Sequence, residues 1–138
     1  RGLGDVYKRQ GQLMINARAE TVEEKKTFSK AFRENRCVFP LSGFYEWDSE
    51  KRKLLFTSRE SDVFYLGGFY RIHKTGAGFE TESIIMTTKP NESVSPIHDR
   101  MPLIIQKDHI KEWITDLDFA RNYLTADMPE LIRVSTKI

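Results

Sequence analysis

Between Cys37 and Ile105 the chain repeats one pattern, a short apolar or alternating run followed by a tight polar turn. The pattern predicts strands over 37–40, 43–47, 54–58, 63–70, 82–88 and 101–105. The turns fit it. DSEKRK (48–53) reads as a charged hairpin loop, ESD (60–62) as a tight polar one, and HKTGAGFE (73–80) carries two glycines that tolerate positive φ. Gly67-Gly68 inside the fourth run marks a bulge or a close backbone approach. A last short strand is predicted at Ile132–Val134. Helices are fewer. Thr21 and Glu24 form a capping-box pattern, followed by Val22, Phe28 and Phe32 as a buried stripe with Glu23, Glu24, Lys25 and Lys26 outside. Asp108 is expected to cap a helix running through Trp113, and Asp116 or Asp118 one running through Leu124. The expected fold is one α+β domain, with a mainly antiparallel, barrel-like sheet core and a few short helices.

A chain of 138 residues is long enough for one domain with a real core. No apolar run approaches a membrane span and no signal peptide shows. The single cysteine, Cys37, excludes an internal disulfide framework and suits a reducing cytosol; in its apolar setting it reads as inert core. The net charge of +2 permits nucleic-acid binding without arguing for it. Residues 1–10, RGLGDVYKRQ, are polar and aperiodic, and read as a loose tail foreign to the folded unit, which is then 11–138.

Three stretches carry more polar detail than a core needs. In RCVFPLSGFYEW, strand alternation puts Phe44 and Glu46 on one face and Tyr45 and Trp47 on the other. An acid among aromatics is costly to ionise and becomes a candidate proton-transfer group; the alternative is an edge-strand glutamate with its head in water. In NARAET, an extended backbone gives Asn16, Arg18 and Glu20 a shared direction. Arg18 could then grip a phosphate, or simply pair with Glu20. In SPIHDRMP, Pro96 and Pro102 stiffen a loop holding His98 and Arg100. His98 is a candidate general acid/base or a structural histidine, whereas His73 and His109 read as solvated. No Cys/His cluster has metal-ligand spacing, and no phosphate-cradling glycine loop or serine nucleophile elbow is present.

Taken together, MINARAET, RCVFPLSGFYEW, the two-threonine end at Met86-Thr87-Thr88 and IHDRMPLII resemble, in order and rough spacing, the SOS response-associated peptidase (SRAP) family of abasic-site processing proteins. The resemblance covers roughly residues 12–136. It implies action on abasic sites in single-stranded DNA. There an N-terminal cysteine adds its amine and thiol to the ring-opened sugar aldehyde, leaving a thiazolidine cross-link. By position it implies Asn16, Glu46 and His98 as catalytic residues, and Arg18, Thr87, Thr88 and Arg100 as DNA contacts. It also implies no cofactor or metal, a bacterial cytoplasmic setting and a monomer. The family's cysteine-bearing opening is not matched: residue 2 is Gly2, and Cys37 falls at an internal, non-catalytic position. The chain therefore reads as the carboxy-terminal part of such an enzyme, with the acid/base groups and without the nucleophile. Two other readings are a non-catalytic single-stranded DNA-binding module and a peptidase limited to self-processing.

Overall fold

The computed structural model describes residues 7–9 and 12–135. Nine strands and three helices are described: β1 (Tyr7–Arg9), β2 (Gln12–Arg18), α1 (Lys26–Glu34), β3 (Arg36–Leu41), β4 (Phe44–Trp47), β5 (Lys53–Ser58), β6 (Phe64–Thr75), β7 (Gly78–Thr88), β8 (Met101–Pro102), α2 (Ile110–Thr115), α3 (Leu117–Tyr123) and β9 (Leu131–Ser135). The fold is α+β, as the turn-punctuated pattern predicts. Among the described residues the strands form two sheets. The larger has the order β1-β2-β7-β6-β3, with β8 added along the end of β7, and the smaller has the order β4-β5-β9. All pairings are antiparallel except β2 with β7, which run parallel from Gln12↔Thr81 to Arg18↔Thr87. Tyr7–Arg9, within the expected loose tail, pairs with β2.

The glycine pair in β6 is a close approach, not a bulge, since the β3–β6 register runs unbroken from Arg36↔Phe69 to Leu41↔Phe64. A Cβ on Gly68 would stand 2.2 Å from the Ile84 carbonyl oxygen, and one on Gly67 2.9 Å from the Ile105 side chain. At this point β6 and β7 part, their pairing ending at Gly68↔Ile85. The segment 101–105 wedges between them. Leu103 N–H donates to the Met86 carbonyl at 2.9 Å, Gly67 N–H to that of Leu103 at 2.7 Å, and Ile105 N–H to that of Tyr65 at 2.8 Å. The wedge fixes the chain shortly after His98.

The small sheet lays its inner face on the large one through aromatic rings. Phe44 stacks on Phe56 at 5.3 Å and meets Phe64 of β6 at 5.8 Å. On the other side, Phe32 of α1 and Trp113 of α2 pack edge-on at 6.0 Å, and both are fully buried. Arg36 is buried between these helices and donates to the carbonyls of Phe32, Arg33, Trp113 and Ile114. These are last-turn carbonyls that have no partner within their own helices.

One predicted boundary is wrong. The Thr21–Glu24 pattern does not start a helix: 19–24 are turns, and α1 begins at Lys26 with no side-chain cap. Tertiary contacts override the local signal. Val22 is buried, and Glu23 is drawn to Arg121 of α3 by two hydrogen bonds of 2.9 Å. Asp116 does cap α3, accepting from Phe119 N–H at 3.1 Å, but Asp108 lies in a 3-10 turn and caps nothing with its side chain.

Candidate active site

Alternation along β4 puts Phe44 and Glu46 inward and leaves Tyr45 on the outer face. β4 is an edge strand, as the solvent-facing alternative required, yet Glu46 is only 3% exposed. Its head is in a cleft wall and not in water. Across that cleft lies His98, with Nε2 3.6 Å from Glu46 Oε1. This is ion-pair range and just beyond a hydrogen bond.

His98 is held by its own loop. Its N–H donates to the Val94 carbonyl at 3.0 Å, and Val94 is fully buried. Asn91 pins the loop start by donating to the carbonyls of Met128 and Pro129 at 3.2 and 2.8 Å. The ring's Nδ1 lies 3.2 Å from both the N–H and the carbonyl of Arg100. With the Arg100 N–H donating to Nδ1, the neutral ring carries its proton on Nε2, the nitrogen that faces Glu46.

β2 supplies the opposite wall. Asn16 and Arg18 are two apart and so share a face, while Ala17 between them is buried. Their parallel neighbour β7 places Thr87 beside Arg18. The resulting cleft is about 250 Å3 and is lined by Asn16, Arg18, Glu46, Thr87, His98, Asp99, Arg100 and Met101. Six of the seven residues named from the sequence line it. The seventh, Thr88, points away into a separate hollow beside Leu124–Met128.

Arg100 lines the cleft but is engaged with the protein. It makes two hydrogen bonds of 2.8 and 2.9 Å to the Glu20 carboxylate, and others to the Thr87 carbonyl at 2.9 Å and hydroxyl at 3.1 Å. This hydrogen-bonded arginine holds the Glu20 carboxyl below its usual range. Glu20 therefore pairs with Arg100, and not with Arg18 as one sequence reading had it. The clasp ties the turn after β2, the end of β7 and the His98 loop together. Its two partners lie eighty positions apart, and no local pattern marks them as partners. Cys37, on β3, is half-buried with its thiol pushed up to about 11 by burial, in keeping with an inert role. Among the described residues no group of His, Cys, Asp or Glu gathers to hold a metal, and no helix is long and apolar enough to cross a membrane.

The SOS response associated peptidase (SRAP) family model matches residues 4–137, and the chain belongs to that family. Two relatives in Bacillus subtilis are similar in sequence. Abasic site processing protein YoaM is 40% identical over 119 residues, covering 83% of this chain and 52% of YoaM. Abasic site processing protein YoqW is 38% identical over 140 residues, covering 93% of this chain and 62% of YoqW. The chain thus spans less than two-thirds of either relative. A crystal structure of a protein from Bacteroides thetaiotaomicron shares the fold, with a TM-score of 0.77 at 22% identity over 88% of this chain and 58% of that one.

Proposed function

We propose that this SRAP chain forms the part of an abasic-site processing protein that receives the opened sugar of an abasic nucleotide in single-stranded DNA. The observation that carries the reading is the meeting of Glu46 and His98, 3.6 Å apart, from segments separated by more than a third of the chain. The cleft they share with Asn16 is polar-lined and has room for a ring-opened sugar. The names of YoaM and YoqW support it.

In this reading Glu46 and His98 move protons for aldehyde chemistry. An amine adds to the aldehyde carbon, and the carbinolamine loses its hydroxyl as water once the acid group donates a proton. A neighbouring thiolate then adds to the imine carbon and closes the ring, and the nitrogen takes up the proton. The amide of Asn16 orients the sugar oxygens, and Arg18 and Thr87 face the adjoining phosphate. Cys37 does not fit the nucleophile, since its thiol is held protonated at neutral pH. The attacking amine and thiol are those of the N-terminal cysteine that the family resemblance implies.

The test is binding of this chain to matched single-stranded oligonucleotides with and without one abasic site. The expected result is a preference of about tenfold for the abasic strand, equivalent to about 1.4 kcal/mol, with no covalent band on a denaturing gel. Equal affinity would remove the abasic-site reading and leave strand binding without chemistry. A covalent band would overturn the assignment of Cys37 as inert.

A further inference from the structure

The charged loop between β4 and β5 encloses a second hollow that the reading above does not use. Its volume is about 750 Å3, and its walls include Trp47, Lys51, Arg52, Lys53, Ile97 and Arg133. Asp48 is the one carboxylate among its lining residues, against four cations. That carboxylate is already taken by Arg52 Nε at 2.7 Å and by the backbone N–H groups of Glu50 and Arg52 at 2.9 and 2.8 Å. Asp48 and Arg52 thus offset one another within the loop, and Lys51, Lys53 and Arg133 leave the hollow with a positive balance.

Two further features tie this hollow to the cleft. The first is position. Trp47 and Ile97 directly follow Glu46 and precede His98, and Leu54 stands opposite Glu46 in the ladder. The β5–β9 register sets Arg133 opposite Phe56, which puts Arg133 on the Glu46 face of the small sheet. The second is backbone. Lys51 has φ 64°, the only positive φ of a non-glycine residue among those described. A lysine stands where asparagine or glycine would be the easier residue, which is the kind of local strain that accompanies binding loops. On its other side the cleft adjoins a hollow of about 700 Å3 carrying Arg18, Lys25, Lys89 and Arg100 against Glu20 and Asp99. The small cleft therefore sits between two basic hollows.

We propose that the β4–β5 hollow is a second phosphate-binding arm, taking the sugar-phosphate backbone of the single strand on one side of the nucleotide held at Glu46 and His98. The proposal rests on the DNA reading above and adds the residues and direction of the strand's path. Lys51 and Arg133 grip phosphates, while Trp47 lines the wall beside them and the Lys53 ammonium lies over the Tyr45 ring at 4.2 Å and 5.8 Å from that of Trp47.

The experiment uses strands carrying a stable abasic analogue, with short flanks, with the 5′ flank extended, or with the 3′ flank extended. Each is paired with an intact strand of equal length. For the unaltered chain, one of the two extensions is expected to tighten binding. In Lys51→Gln/Arg133→Gln that gain disappears, the log–log salt slope on the extended strand falls by about 1.4, and short-flank affinity stays unchanged. Lys25→Gln/Lys89→Gln keeps the gain. If the unaltered chain gains from neither extension, if the double variant keeps the gain, or if it loses affinity equally on the short strand, the arm is disproved. Failure of the function reading looks different: abasic and intact strands bind alike, while flank dependence persists. Unchanged thermal unfolding of both double variants confirms that they are folded.

Discussion

Glu46 and Glu82 are both buried glutamates on strands, and each has a histidine nitrogen beside it, at 3.6 Å for His98 and 3.7 Å for His73. The surroundings decide what each can do. Glu82 faces its cross-strand neighbour Arg71, whose Nε and Nη2 both reach Oε1. Arg71 also donates to the Thr27 carbonyl at 2.5 Å and covers the Phe28 ring at 5.3 Å. The carboxylate is thereby built into a bolt between the β6–β7 hairpin and the start of α1, and Glu82 lines none of the clefts described above. Glu46 instead borders a hollow shared with Asn16, Arg18 and Thr87. Burial and a nearby imidazole do not make a reactive pair. Volume for a substrate and further polar groups aimed at that volume are also needed.

The largest expected effect falls on the bolt. Arg71→Leu strands Glu82 in a buried site and is expected to destabilise the fold by about 3 kcal/mol, measured by urea unfolding. Arg71→Leu/Glu82→Leu should regain most of that loss, because two apolar groups can replace a buried ion pair. Neither change should alter preference for an abasic strand. A loss of preference in the folded double variant would break the contrast between the two glutamates. Next comes the cleft. Glu46→Gln and His98→Ala are each expected to reduce the abasic preference to near unity, a loss of about 1.4 kcal/mol in binding. His98 is about one-third exposed, so its removal should move stability by less than about 1 kcal/mol. A variant that stays folded, loses clearly more stability than that and keeps its preference would place His98 with the scaffold.

The two glutamates also show what a sequence can reveal. Glu46 was legible because FYEW alternates, and alternation assigns a face without knowing the partner strand. The strands from β3 to β7 were legible for the same reason, helped by glycine and charge at the turns, whereas β1 and β2 were not among the predicted strands. Glu82 was not, since ETES reads as one acid among several, and its partner is set by the hairpin register. The Thr21–Glu24 capping pattern misled because distant groups claim the neighbouring residues, with Glu20 held by Arg100 and Glu23 by Arg121. The convergence of Asn16, Glu46 and His98 follows from two facts no local pattern holds. One is the parallel pairing of β2 with β7, and the other is the wedge that parts β6 from β7.

A third carboxylate sharpens the comparison at the smallest scale. Glu20 has an arginine, like Glu82, but it stands at the edge of the cleft and is about one-third exposed. Arg100 lowers its pKa in the folded chain through hydrogen bonding, with a smaller Coulombic contribution. A carboxyl with a depressed folded pKa contributes stability that is complete above its unfolded pKa. That contribution is lost as pH falls through the folded value, which lies below the usual carboxylate range. Solvent screens the pair, so Glu20→Gln should lower stability at neutral pH by no more than about 1 kcal/mol. Urea unfolding of both proteins down a pH series should show the gap closing in acid. The variant retains Arg100's bonds to Thr87, so it reports the ionic part of the clasp alone. A gap that stays constant into acid would mean that the Glu20 charge is irrelevant, and that hydrogen bonding and packing hold the His98 loop.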